Sequence, residues 1–214
     1  MSKELLSGPS PSMIQVQATL DLVEKLSPHL TFEIVPPQSK FPYIIDDIPM
    51  CTVVRSGKVR VRRDSDEIVI ASVPIPNIMG VGSLVPKNAG LYIETVSECS
   101  IASLTSEQVL KLIGQLDLWQ LLSAHITKVA NNVLVYSIIM TPPTAYEVIR
   151  FQLLALMDED SDIRNDITAA NYILQRTRLS RSSVMKILAE LKKGEFIVMD
   201  EGRLIHINKL PHKY

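Results

Sequence analysis

Arg176, Arg178, Arg181 and Lys186 fall within eleven residues that contain no acidic side chain, and Ser180, Ser182 and Ser183 are interleaved with them. Guanidinium and ammonium groups at that density can neutralise phosphates. An arginine also offers a fork that fits a guanine edge, and serine hydroxyls can donate to or accept from bases and phosphates. Arg203 adds one more cation downstream. Residues 163–214 carry ten Lys and Arg against five Asp and Glu, whereas residues 1–162 carry twelve against eighteen, so the net charge of −1 conceals a basic C-terminal segment. A solvated face is the ordinary fate of a basic cluster. What gives this one a function is the set of elements that carries it.

Thr168 is placed to cap a short helix with Ala170, Ile173 and Leu174 on one side. The chain turns through Arg176 to Leu179 and restarts at Ser180, a second N-cap. From there Val184, Ile187, Leu188 and Leu191 form one apolar stripe, and Arg181, Ser182, Met185, Lys186 and Ala189 occupy the opposite face. Gly194 is placed to end this helix. Phe196 to Met199 then reads as a strand, Asp200 to Arg203 as a hairpin tip, and Leu204 to Ile207 as the returning strand. Two short helices followed by a two-stranded wing, with a basic, hydroxylated second helix, suit insertion into a DNA major groove. Arg181 and Lys186 are the candidate base readers, with Ser182 and Ser183 close to edges or phosphates and Ser180 beside them. Arg176, Arg178 and Arg203 are the candidate phosphate contacts.

Upstream, residues 1–105 hold short β signals after an amphipathic stretch carrying Val16, Leu20, Val23 and Leu26. Met50 to Arg63 reads as a strand pair pivoting on Ser56 and Gly57, and Glu67 to Val73 and Leu91 to Leu104 supply further strands. Many short strands at this spacing predict a barrel or roll. Between about 106 and 141 the period becomes helical. Leu122, Ile126, Val129, Val133, Tyr136 and Met140 are spaced 4, 3, 4, 3 and 4 apart, a heptad seam that suits a helix pairing with its own copy. From Leu118 to Met140 the only acidic or basic side chains are His125 and Lys128, so a second face of this helix is expected to pack on the roll. Pro142 and Pro143, with Thr141 as a cap, open a further helix from Ala145 to Met157, and Asp158 to Asp162 reads as an exposed acidic loop.

The expected class is α+β: a β-roll with its dimerisation helix over 1–141, and a winged helix-turn-helix over 142–214. The 46% hydrophobic content and 21% charge argue against disorder. No run of about 18 apolar residues occurs and the first dozen residues carry no signal pattern, so no membrane partner and a cytoplasmic location are expected. Cys51 and Cys99 make no disulfide framework, and as strand residues they suit small buried hydrophobes, although Arg55 stands near enough in sequence to Cys51 to lower a thiol pKa. His29, His125, His206 and His212 form no constellation for haem, and two distant cysteines cannot hold an iron–sulfur cluster. His206 is expected to hydrogen-bond locally within its strand. Ser83, in Gly82-Ser83-Leu84, lacks the second glycine of a nucleophile elbow, and no carboxylate or metal-ligand cluster recurs. No cofactor, no metal and no catalysis are expected.

Roll, long helix, hinge and winged helix-turn-helix together resemble the cyclic-AMP receptor/FNR family of bacterial transcription regulators over nearly the whole chain. The resemblance is carried by Val54-Arg55-Ser56-Gly57-Lys58-Val59, by Tyr92 to Leu104 with the 106–113 helix after it, and by Ser180 to Leu188. Asn171 to Ser183, Lys193 to Ile197 and Ile207 to Pro211 look closer still to one enterobacterial branch. It implies a homodimeric, cytoplasmic, stress-responsive regulator of double-stranded DNA with inverted-repeat half-sites, and RNA polymerase as a candidate partner. Two departures modify that expectation. Relatives that bind cyclic nucleotide hold ribose with a Gly-Glu and phosphate with an Arg. Here Met79-Gly80-Val81-Gly82-Ser83-Leu84 puts Val81 or a neighbour where the Glu belongs, Asn88-Ala89-Gly90-Leu91 supplies no cation, and Lys87 is a poor substitute. Cyclic-nucleotide independence is expected. An apolar effector among Ile75, Ile78, Met79, Val81 and Leu84, and an adaptor role for the acidic roll, are the alternatives. In the reading helix, Ser182 stands where the family usually has an acidic residue, so the preferred operator should differ. The turn before that helix is also a residue longer and has no glycine.

Overall fold

The computed structural model describes residues 11–81, 90–140 and 144–211, with the side chains of 11–15, 135, 136 and 138–140 outside the description. The chain divides into two units, Met1–Val133 and Leu134–Tyr214, so the division falls inside the long helix.

In the first unit, α1 (Pro11–Leu26) precedes nine strands: β1 (Glu33–Val35), β2 (Lys40–Pro42), β3 (Ile44–Ile45), β4 (Ile48–Ser56), β5 (Val59–Arg63), β6 (Val69–Val73), β7 (Asn77–Met79), β8 (Leu91–Thr95) and β9 (Cys99–Thr105). They form two antiparallel sheets, β1-β9-β4-β3 with β7 paired to β4, and β2-β8-β5-β6. β4 is apolar on consecutive residues because both its faces are covered. Cys51 and Val53 pack with Leu22, Leu26, Val109, Ile113 and Leu122 of the helices, while Val54 joins Val59, Val61, Ile93 and Ile101 between the sheets. Val16, expected on the buried side of α1, is exposed, and Ala18, Leu22, Val23 and Leu26 carry the packing.

β4 and β5 do not pair with each other, contrary to the expected hairpin at Ser56 and Gly57; the chain crosses there from one sheet to the other. Gly57 takes φ +102°, and a Cβ on it would fall on Cys99 Sγ and Glu98 O. The crossing from β8 to β9 runs beside it, with Val96 N donating to Lys58 O at 2.7 Å and Lys58 N to Ser97 Oγ at 2.9 Å. Two strands that look consecutive in sequence are thus assigned to different layers, which closes the roll.

The region expected to be one dimerisation helix over about 106–141 is two: α2 (Ser106–Gln115), started by a Thr105–Gln108 capping box, and α3 (Trp119–Met140). Asp117, at φ 52°, breaks the run. In the second unit, α4 (Ala145–Asp158) is capped by Thr144, whose side chain accepts from Glu147 N; Thr141, Pro142 and Pro143 lie outside the described residues. The acidic stretch expected as a loop is partly helical, because α4 runs through Asp158 and α5 spans Ser161–Asp166. α6 (Ala169–Leu174), α7 (Arg181–Lys193), β10 (Ile197–Asp200) and β11 (Arg203–Ile207) follow. One core, including Ile149, Leu153, Ile173, Val184, Leu188, Leu191, Ile197 and Leu204, ties all of these except α5 together.

Candidate nucleic-acid interface

α7 starts where its sequence requires. The Ser180 hydroxyl accepts from Ser183 N at 3.2 Å, and the Ser180 carbonyl accepts from Val184 N at 3.0 Å. The N–H groups of Arg181 and Ser182, in the first turn, have no carbonyl partner within the helix, which is where an anion docks on a helix start. Ser180 Oγ also lies 3.1 Å from Ser182 Oγ and 2.8 Å from Ser183 Oγ, so the three hydroxyls form one cluster at the helix mouth. Val184, Leu188 and Leu191 are buried, and Arg181, Ser182, Met185, Lys186 and Ala189 are exposed on the other side. Ser183 is half-buried.

The turn from α6 to α7 needs no glycine because none of residues 175–180 takes a positive φ. Thr177 fills the corner: it is buried, its hydroxyl donates to Ile173 O at 2.9 Å, and the same oxygen accepts from Leu179 N at 3.4 Å. At the far end, Gly194 is the C-cap of α7, ending the helix as its type suggests. It has φ −81°, and Glu195 takes φ 56°. Gly194 is needed for space, because a Cβ there would sit 2.5 Å from Phe196 Cε2. The wing tip, Glu201 at φ 45° and Gly202 at φ 81°, is held on the start of α6 by Ala169 N donating to Gly202 O at 2.9 Å. Arg203 at this tip is exposed, its Nη1 3.9 Å from Glu201 Oε2. His206 is exposed.

Arg176, expected as a phosphate contact, is engaged by side chains of its own unit. Its Nη2 lies 3.2 Å from Glu159 Oε1, both side chains are about seven-eighths covered, and the guanidinium carbon sits 3.6 Å from the centroid of the Tyr172 ring. Tyr172 donates its hydroxyl to the same carboxylate oxygen at 2.9 Å, and burial raises the phenol pKa. This locks α6, the turn and the end of α4 together. No spacing rule announces it, since Glu159 lies seventeen residues upstream in what reads as a solvated acidic run. Arg178, in contrast, is exposed beside α7.

On α3, Leu122 departs from the expected seam because it is buried in its own unit's core, at 4% exposure. Ile126, Val129 and Val133 are exposed, at 36%, 45% and 62%, and Leu134 joins them at 61%. Tyr136 and Met140 have side chains outside the described residues. His125 faces inward. It is buried, its Nδ1 is 3.1 Å from Thr19 Oγ1 of α1, and Lys128 Nζ is 3.5 Å from the same oxygen. Burial, with Lys128 adding to it, lowers the His125 pKa to about 4.

In the roll, Val81 and Ile78 belong to the core beneath the helices, whereas Met79 and Ile75 belong to the core between the sheets. The two pairs thus pack in different cores; Gly82, Ser83, Leu84, Lys87, Asn88 and Ala89 lie outside the described residues. Cys51 and Cys99 are free and buried, and burial pushes the Cys51 thiol up to about 12. Arg55 does not lower it; its guanidinium stacks 3.7 Å from the Phe32 ring centroid and donates to Ser100 Oγ at 3.2 Å. No His, Cys, Asp and Glu cluster fit for a metal occurs among the described residues, and no helix among them is long and apolar enough to cross a membrane.

Residues 145–212 match the family model described as winged helix-turn-helix DNA binding. Over 164 residues the chain is 34% identical to the inhibitor of hydrogen peroxide resistance of Escherichia coli K12, covering 76% of this chain and 78% of that one. The Salmonella typhimurium protein of the same name is 35% identical over 163 residues, with the same coverage. Among solved structures, the c-di-GMP responsive global regulator CLP of Xanthomonas campestris superposes with TM-score 0.68 at 14% identity, covering 89% of this chain and all of that one. A CooA mutant from Carboxydothermus hydrogenoformans gives TM-score 0.64 at 14% identity, covering 87% and 90%. Both are similar in fold.

Proposed function

This chain belongs to the family of the inhibitor of hydrogen peroxide resistance and is a DNA-binding transcription regulator, and from that premise we propose that it acts as a cytoplasmic homodimer on inverted-repeat sites without cyclic nucleotide, cofactor or catalysis. The observation that carries this reading is α7: an exposed face of Arg181, Ser182 and Lys186 on a helix whose other face is fully committed to the core. Arg181 and Lys186 read base edges. Ser182 and Ser183 lie near edges or phosphates, Ser180 positions the helix start, and Arg178 and Arg203 hold phosphates on either side. The second copy packs on Ile126, Val129 and Val133, with Tyr136 and Met140 continuing the same heptad. Such a pair sets two reading helices about one DNA turn apart. RNA polymerase is the partner through which bound dimers alter transcription.

Independence from cyclic nucleotide is supported by Val81, which is buried in the helix-side core and stands at or beside the position where relatives that bind the nucleotide carry a ribose-holding Glu. The experiment that tests the reading is binding to a site recovered from genome-wide mapping, followed across salt. Several phosphate contacts per dimer give a steep fall in affinity with rising salt, at about 0.9 in log-log slope per neutralised phosphate. A flat salt dependence would contradict it.

A further inference from the structure

The α7 outer face holds one side chain that phosphate and guanine chemistry do not use. Met185 is 49% exposed and is the only large apolar side chain exposed on this helix. It follows Arg181 by four residues and Ser182 by three, and precedes Ala189 by four, so on a 3.6-residue turn all of them are its neighbours. The buried stripe runs through Val184, Leu188 and Leu191, which leaves Met185 no place in its own unit's core. The other exposed residues of α6 and α7 are polar or the small Ala189, and the unit's other exposed large apolar side chains, Leu134, Leu154, Val198 and Ile205, lie on different elements. Any surface that meets Arg181 and Ser182 meets Met185 as well.

The major groove offers one apolar feature, the C5-methyl group of thymine, projecting among the hydrogen-bonding edges. A flexible, polarisable side chain fits against such a group without demanding an exact angle. Small Ala189 beyond it leaves room for the groove wall to approach. We propose that Met185 is a specificity-determining residue that packs on a thymine methyl, so that each half-site contains a T·A pair read by shape and apolarity beside the guanine read by Arg181. The assignment rests on α7 being the reading helix.

The test uses the full chain and a duplex that it enriches from a randomised pool. The duplex is remade with deoxyuridine replacing each thymine in turn, which deletes only the methyl group. At one thymine per half-site the change should weaken binding about threefold to fivefold, the worth of one buried methyl. For the Met185→Ala variant the same change should have no effect, while its binding to the uridine duplex equals that of the parent. Met185→Leu should keep the thymine preference. If no thymine-to-uridine change weakens the parent, or if one weakens parent and Met185→Ala equally, the proposal is overturned. Arg181→Ala on the same duplex separates the two levels: a tenfold or greater loss there keeps the reading helix in place whatever Met185 does. A pool that yields no preferred sequence overturns the reading helix and the Met185 assignment together.

Discussion

Arg176 lies over the ring of Tyr172, its guanidinium carbon 3.6 Å from the centroid, and both residues end on the same oxygen of Glu159. A cation in the middle of the helix-turn-helix is thereby engaged within its own unit, where it joins the end of α6 to the end of α4.

This arrangement makes Glu159→Gln informative through its sign. If Arg176 were a phosphate contact, removing the carboxylate would free a cation and raise DNA affinity. The clamp predicts the reverse, a fall of specific over non-specific affinity. Arg176→Ala should cost about 1–3 kcal/mol of stability, because it takes the cation from a covered carboxylate and uncovers the face of the Tyr172 ring, while the log-log salt slope stays unchanged. Salt titrations of both variants, with hydrogen exchange of the α6 and α7 amides, check this.

Val133→Asp should convert dimer to monomer without unfolding the chain, because Val133 is 62% exposed within its own unit. An unpaired charge at the pairing face carries a penalty of several kcal/mol. Leu122→Asp, 4% exposed in the core under the roll, should instead collapse the first unit. Light scattering after size exclusion, with circular dichroism of both variants, distinguishes the outcomes.

His125 makes the first unit sensitive to mild acid. Its pKa falls from 6.5 in the unfolded chain to about 4 in the fold, so between these values the unfolded chain binds the extra proton. Stability is therefore fully present above pH 6.5 and declines as pH drops toward 4, by about 2–3 kcal/mol from this group. Lys128 stands on the same oxygen of Thr19 and opposes any charge on the ring. Urea midpoints at pH 7 and pH 5 should differ less for His125→Gln than for the parent, and an equal difference would remove His125 as the cause.

Cyclic AMP and cyclic GMP should leave both melting temperature and DNA affinity unchanged. Calorimetry showing micromolar binding of either would contradict the reading of the Val81 loop.

The second unit was almost fully legible in the sequence because its signals are local. Thr168 and Ser180 cap the helices as their types suggest, and Val184, Leu188 and Leu191 fall on the buried side that a 3.6-residue period predicts. The misreadings arise where a residue's partner is distant. Ser56 and Gly57 look like a hairpin tip, yet which strands pair is decided by Cys99 and its crossing, forty residues on. The heptad through Leu122 and Val133 records an apolar face without stating who covers it, and the roll covers Leu122. Met185 was visible on the outer face, but exposure alone distinguishes it from a core methionine.

The most direct measurement of the whole account is the affinity of Arg181→Ala for the mapped operator and for variants of it at each position. The expected result is a loss of about 1–3 kcal/mol and relaxed preference at one base pair per half-site. Arg203→Ala is predicted to weaken all sequences alike and to lower the salt slope by about one. Undiminished binding by Arg181→Ala with unchanged sequence preference would contradict the assignment of α7 as the reading helix.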